Sequence, residues 1–352
     1  MSLQLDLFAS ADPEPAPAPA PAPAPATFTA AAPRATRPEA ARIITPPRES
    51  DHRPRPARSH DLHSKAFALG EAVTDAWHRA HGGSDIAVPI GLVAALALIR
   101  QRDAAGPSLQ AQILGLDGVE LIEMYRQIWA QHWAHRPDLI DRARVLHEWL
   151  NDTKAPTKDR VYAVKCVTRA ALKGGILDLT GHPDPYERAQ TDVLSHVMML
   201  LRSNSARQGL GEFHTPPPVA DVLAEISLTT QWALEDPRAG QHIHDPAGGS
   251  GGLLRAAAQM LRHRGFDPAD FQWSMVDIDQ IAAACGAVNM IVWGMGRRVT
   301  VACDNPLSNA RAVEDAMTHA QAVIAHRDEV LGKARIIAAL NRTQALVEQI
   351  AA

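Results

Sequence analysis

From His60 to Thr180, apolar residues return every three or four positions: Ala66, Leu69, Val73, Ala76 and Trp77; Ile90, Val93, Ala94, Ala97 and Leu98; Leu121, Met124, Ile128 and Trp129; Leu146, Trp149 and Leu150. That spacing lays one apolar stripe along each helix and predicts a helical domain over residues 60–182. Gly82-Gly83-Ser84 and the stretch from Asp103 to Pro107 break it into segments. Its tryptophans read as core rather than as platforms for stacking bases.

The period then changes. An apolar approach ends at Asp245-Pro246; Ala247, Gly248, Gly249, Ser250, Gly251 and Gly252 follow, and Leu253-Leu254 opens a new helical run. This is a strand, a tight turn and a helix start. Glycines there let the backbone come close to a ligand, and the unpaired amides of the first helical turn can hold a carboxylate. A second strand, Gln272 to Val276, delivers Asp277, where a carboxylate can accept both hydroxyls of a ribose. A third, Arg298 to Cys303, delivers Asp304, placed to reach an adenine amino group. With the upstream segment Leu210 to Val219, which contains Glu212, Phe213, Thr215 and Pro216, these read as successive walls of one pocket for S-adenosyl-L-methionine.

Past Leu307 the helical period returns in Val313, Met317, Ala320, Ile324 and Leu331, and again in Ile336, Ile337, Leu340, Leu346, Val347 and Ile350, with Gly332 between. We expect an amphipathic pair of helices over 308–352, covering the open edge of the sheet or offering an interface to a partner subunit.

The run from Asp184 to Leu307 resembles the adenine-N6 DNA methyltransferases, in particular those similar to the modification subunit of type I restriction systems. That family has Gly-Glu-Phe-Tyr-Thr-Pro, then Asp-Pro-Ala-Cys-Gly-Ser-Gly-Gly, then Asp-Ile-Asp, then Gly-Asp-x-Leu. Here His214 replaces the aromatic, Gly248 replaces the cysteine, and the last element reads Cys303-Asp304-Asn305-Pro306-Leu307. The resemblance implies a Rossmann-like core over 183–307. It places Glu212, Phe213, Thr215 and Pro216 on the methionine side of the cofactor. Asp245, Ala247 and Gly248 to Gly251, including Ser250, take its carboxylate and sugar, Asp277 its ribose and Asp304 its adenine. It further implies contact with DNA.

The family grips a flipped adenine with an Asn/Asp-Pro-Pro-aromatic tetrapeptide, and this chain has none. Thr45 to Arg48 and Thr215 to Pro218 lack both the polar residue and the ring. Asp184-Pro185-Tyr186 has both but a single proline, and Asn305-Pro306-Leu307 has no ring. Only three strands are evident where a complete sheet of this kind has about seven, so the core reads as truncated. No residue is assigned to catalysis. The competing expectation is a catalytically silent adaptor.

Composition separates the N-terminus from the rest. Pro15 to Ala26 alternates proline and alanine, and prolines and arginines continue to Arg58. Residues 1–59 are expected to be a disordered arm with polyproline character. At its tip Gln4-Leu5-Asp6-Leu7-Phe8 resembles the pentapeptide by which bacterial replication and repair proteins bind the DNA polymerase sliding clamp. Leu7 and Phe8 would fill an apolar groove while Gln4 fixes register.

A net charge of −4 argues against an extended non-specific grip on DNA. Local basic candidates are Arg202, Arg207, Arg255, Arg297 and Arg298, and the seven arginines of the arm from Arg34 to Arg58. The three cysteines, Cys166, Cys285 and Cys303, have neither disulfide nor zinc spacing. His132 with His135, and His242 with His244, lack the further ligands a metal requires, so no metal is expected. With no signal peptide and no long uncharged apolar run, a soluble cytoplasmic protein is expected.

Overall fold

In the computed structural model, residues 59–100, 108–152, 156–202, 215–232 and 237–351 are described. Gln4 to Phe8, the proline-alanine run, Glu212 and Phe213 lie outside them. The chain opens with helices α1 (Ser59–Arg79), α2 (Ala87–Ala97), α3 (Leu109–Gly115), α4 (Gly118–His135) and α5 (Pro137–Arg142). After two short 3-10 turns come α6 (Lys158–Lys173), α7 (Ile176–Thr180), α8 (Pro185–Arg188) and α9 (Val193–Leu201). Every residue of α2 is buried, which its wholly apolar sequence requires. Trp77 of α1 and Tyr125 and Trp129 of α4 are likewise buried, each with 2% or less of its surface exposed. Entry into α4 is set by a capping box, in which the Asp117 carboxylate accepts the Glu120 amide while the Glu120 side chain accepts the Asp117 amide.

Two buried histidines in this span make the fold sensitive to acid. His147 stacks on Trp129 at 4.4 Å, and His63 shares a 3.0 Å hydrogen bond with Thr191. Burial, the largest cause in both, pulls each imidazole down to about 4. A histidine held neutral in the fold takes up its proton more readily when unfolded. Its stabilising effect is therefore full above about pH 6.5 and falls away as pH drops toward 4. We expect stability to decline steadily from pH 7 to pH 4.5, by on the order of 2 kcal/mol per histidine, and the melting temperature to fall with it. Circular-dichroism melts at several pH values check this; a flat profile, or one unaltered by His147→Gln, contradicts it.

Downstream lie α10 (Pro217–Trp232), β1 (His242–Asp245), α11 (Gly252–His263), β2 (Gln272–Asp277), α12 (Gln280–Val292), β3 (Val299–Cys303) and α13 (Ala312–Ala351). The strands form a parallel sheet in the order β1-β2-β3, with Asp245 opposite Met275 and Asp277 opposite Cys303. Central β2 carries Trp273, Ser274, Met275 and Val276, all buried, as a parallel strand covered on both faces should be. The expected second and third strands are present, the third beginning at Val299 rather than Arg298.

The helical and sheet-bearing spans interlock through arginines that end on backbone carbonyls. Arg136 donates to Gly296, Arg100 to Thr180 and Ile291, and Arg188 to Val292. The Thr180, Ile291 and Val292 carbonyls lie in the last turns of α7 and α12, where helix carbonyls are left without intrahelical partners.

The C-terminal pair of helices is instead one helix of 40 residues. Gly332 does not divide it, because an interior glycine costs only about 1 kcal/mol and a side chain there would meet open space, so no close packing forces a break. Nor does α13 lie along the β1 edge of the sheet. Ala312 and Ala316 pack on Val276 and Ala302, so the helix lies against β2 and β3. His319 then pairs with Asp141 of α5 at 2.7 Å, and Trp133 meets His326 edge-on. The other edge, along β1, has no strand beside it among the described residues.

Candidate functional site

The carboxyl ends of the three strands bring the predicted polar residues to one side of the sheet. After Asp245 the chain reverses over Ala247 to Gly252, with φ of +54° at Gly249 and +91° at Gly251, values that favour glycine over any residue with a Cβ. At Gly248 a side chain would lie 2.8 Å from both the Cβ and the Cε of Met275, and at Gly286 one would lie 2.6 Å from that Cε. Met275 thus fills the space a cysteine at 248 would need, which accounts for this departure from the methyltransferase pattern. The Gly248 amide donates to the Val276 carbonyl at 2.9 Å, seating the turn on the central strand.

Asp277 ties the turn to β2. One carboxylate oxygen accepts the Gly249 amide at 2.7 Å, and the other accepts the Asp279 amide at 2.8 Å. Each oxygen keeps a further lone pair, so the group can hold the loop and still accept ligand hydroxyls. Its backbone carbonyl takes the Asp304 amide at 3.0 Å, joining the ends of β2 and β3. Asp304 accepts the Asn309 side-chain amide and the Asn305 amide, both at 2.7 Å, and these bonds hold its carboxyl below the usual range. Asp245 is buried and caps its own turn through the Ala247 amide; burial, the largest effect there, raises its carboxyl.

Beneath the turn is a buried network that sequence reasoning missed. Asp192 caps α9 through the Ser195 amide at 3.0 Å. It also accepts the Ser250 hydroxyl at 2.6 Å and the Asn289 side-chain amide at 2.9 Å, while Asn289 donates again to the Ser250 carbonyl. Asp192, Ser250 and Asn289 are each 3% exposed. The available signals were an aspartate just ahead of the apolar run Val193-Leu194, and one asparagine in an otherwise apolar helix, Ala282 to Val292.

A cavity of about 70 Å³ opens between the turn and α9–α10. It is lined by Asp192, Thr215, Asp245, Gly248, Ser250 and Arg255, among others. It therefore unites Thr215 with Asp245, Ala247, Gly248 and Ser250. Pro216 stands at the entry to α10, where its carbonyl accepts the Val219 and Ala220 amides. Two arginines expected as phosphate contacts are committed elsewhere. Arg255 pairs with Asp221 at 2.8 Å, Arg202 with Asp279 at 2.6 Å, and both are buried. Arg207 lies outside the described residues.

Asp184-Pro185-Tyr186 is at the wrong end of the core to stand in for the base-gripping tetrapeptide. The Tyr186 hydroxyl bonds His263, the last residue of α11, whereas the glycine turn feeds the first. At 1.5 Å per residue the helix separates them by roughly 16 Å. His242 and His244 both meet the Ser274 hydroxyl at 2.7 Å. Among the described residues no group of three or more histidine, cysteine or acidic side chains could hold a metal, and no helix is long and apolar enough to cross a membrane.

Residues 189–327 match the family model of N-6 DNA methylase. No curated protein matches. Among solved structures the chain is similar to the type I restriction-modification methyltransferase subunit from Streptococcus thermophilus, at 14% identity and TM-score 0.38, covering 71% of this chain and 59% of that one. It is also similar to a chain of the DrdV–DNA complex, at 12% identity and TM-score 0.41, covering 78% of this chain and 29% of that one. The chain thus spans about three fifths and less than a third of their lengths.

Proposed function

We propose, from the match of residues 189–327 to the N-6 DNA methylase model, that this chain binds S-adenosyl-L-methionine at the carboxyl ends of β1, β2 and β3 and serves adenine-N6 methylation of DNA. The observation that carries the reading is Asp277, which braces the glycine turn through Gly249 while keeping lone pairs free. A carboxylate there fits ribose hydroxyls, and the glycine turn fits a ligand carboxylate set against the first amides of α11. When bound, the cofactor supplies the electrophilic methyl group.

The chain's own residues then divide the work. Ser250, locked by Asp192 and Asn289, keeps the turn from closing onto the cavity. Thr215 and Pro216 border the methionine side, with Glu212 and Phe213 immediately upstream. Asp304 offers a hydrogen-bond acceptor to an adenine amino group if Asn309 turns aside. No residue is given the task of holding the target base. A partner polypeptide supplying that pocket, and recruitment through Gln4 to Phe8, are parts of the proposal that rest on sequence alone.

Isothermal titration of S-adenosyl-L-methionine into the full chain tests the reading. Saturable binding at micromolar concentration, with S-adenosylhomocysteine competing, is the expected result. Absence of heat up to millimolar cofactor would reject it.

A further inference from the structure

Helix α9 meets both loops of the cofactor cleft, one at each of its ends. Ahead of its first turn, Asp192 accepts the Ser250 hydroxyl of the glycine turn at 2.6 Å. Just past its last turn, Arg202 donates from Nη2 to Asp279 Oδ1 at 2.6 Å. The Arg202 side chain is only 3% exposed, so water competes little for this pair. Asp279 stands two residues beyond Asp277. Its Oδ1 also accepts the Ala282 amide at 2.6 Å, capping α12, and its own amide donates to Asp277 Oδ1 at 2.8 Å. A line of short polar contacts therefore runs from α9 through Asp279 to an oxygen of Asp277.

The base of that line is firm. Gly70 of α1 lies so close to α9 that a Cβ there would stand 2.9 Å from Leu200 Cδ1 and 3.2 Å from the His196 carbonyl carbon. Phe67 of α1 meets the His196 ring edge-on at 5.8 Å. With its backbone seated on α1, α9 offers Arg202 a fixed origin. An aspartate cap alone is held by the helix it starts. Here the same carboxylate oxygen is held from a second, independent helix, and the charge at Asp279 is neutralised two residues from Asp277.

We propose that Arg202 is a positioning residue for the cofactor's ribose. Anchored by α9, it fixes Asp279, whose amide aims the Asp277 carboxylate at the two ribose hydroxyls. The inference rests on the reading that Asp277 holds the ribose. A merely structural ion pair would weaken every ligand of the cleft alike when broken. A positioning pair weakens the ligands that carry the hydroxyls and spares those that lack them.

The test compares the affinities of adenosine and 2′,3′-dideoxyadenosine for the full chain and for Arg202→Met, by ligand-observed NMR titration with melts alongside. Wild type is expected to prefer adenosine by on the order of a hundredfold, the worth of two hydroxyl-to-carboxylate bonds. Arg202→Met is expected to cut that preference at least about fivefold while binding the dideoxy nucleoside within about threefold of wild type. If Arg202→Met fails to fold, the double variant Arg202→Met, Asp279→Ser decides the matter. It strands no buried charge, keeps a good cap on α12, and should lose the preference in the same way. A preference that survives in the folded variant, or an equal loss for both nucleosides, overturns the positioning role and leaves the ribose reading of Asp277 intact. No preference in wild type removes that reading itself, and the role of Arg202 falls with it.

Discussion

Asp277→Ala is expected to weaken S-adenosyl-L-methionine binding by at least about a hundredfold. Two hydroxyl-to-carboxylate hydrogen bonds contribute roughly 1.5–3 kcal/mol each, which places the combined loss at about 3–6 kcal/mol. The loss has a second source, because the same carboxylate anchors Gly249 and Asp279 in the free protein. Without it the glycine turn loses its tie to β2 and must be ordered when ligand arrives. Asp277→Asn separates the two contributions. It keeps one acceptor oxygen and so can still receive one of the two backbone amides, and it should fall between wild type and alanine. Titration calorimetry on the three proteins, with melts to show that each is folded, checks this. Alanine-variant affinity within about threefold of wild type would mean that Asp277 does not hold the ribose.

Asp192→Ala should cost more stability than any other single truncation in the sheet-bearing core, about 3–5 kcal/mol. The carboxylate accepts three hydrogen bonds at a site shielded from water, from Ser195, Ser250 and Asn289. Alanine leaves all three donors facing a gap, and a buried donor stripped of its partner costs about 1–3 kcal/mol. Asp192→Asn is the informative control. Its oxygen can retain the Ser195 and Asn289 bonds, while its amide can donate to the Ser250 hydroxyl in place of accepting from it. The loss should then shrink to about 1 kcal/mol, comparable to Ser250→Ala. Urea denaturation measures both. A cost below about 1 kcal/mol for the alanine variant would show that water reaches the network and replaces the carboxylate.

The two effects are linked through one short segment. Ser250 belongs both to the turn that Asp277 braces and to the network that Asp192 satisfies, so damage from below should reach the cofactor cleft. The asparagine variant at 192, by preserving the bonds, should preserve cofactor affinity.

How much of this was legible in the sequence depends on the range of the interaction involved. The glycine turn and the acids at the ends of β2 and β3 could be read directly, because strand, turn and helix start follow one another along the chain. The apolar periods of α1, α2 and α4 were legible for the same reason. Asp192 and Asn289 were not, since they stand 97 residues apart and meet only once α9 and α12 pack. Arg202 and Arg255 looked like surface cations until Asp279 and Asp221 were seen beside them. The single helix through Gly332 was misjudged because glycine's cost is small against the helical propensity of its neighbours.

The sequence by itself determined the local events: where helices begin, where the backbone needs glycine, and which carboxylates end which strands. Each follows from sterics and hydrogen bonding within a few residues. Only the tertiary structure decided which polar groups were free to act and which were consumed in holding the fold. It buried Arg202, Arg255 and Asp192 against partners and set Asp184-Pro185-Tyr186 at the far end of α11. It also laid α13 along β3, leaving the β1 edge without a neighbouring strand among the described residues. Those outcomes depend on which surfaces meet, and that is settled by the packing of apolar faces distant in sequence, whose pairing no local pattern encodes.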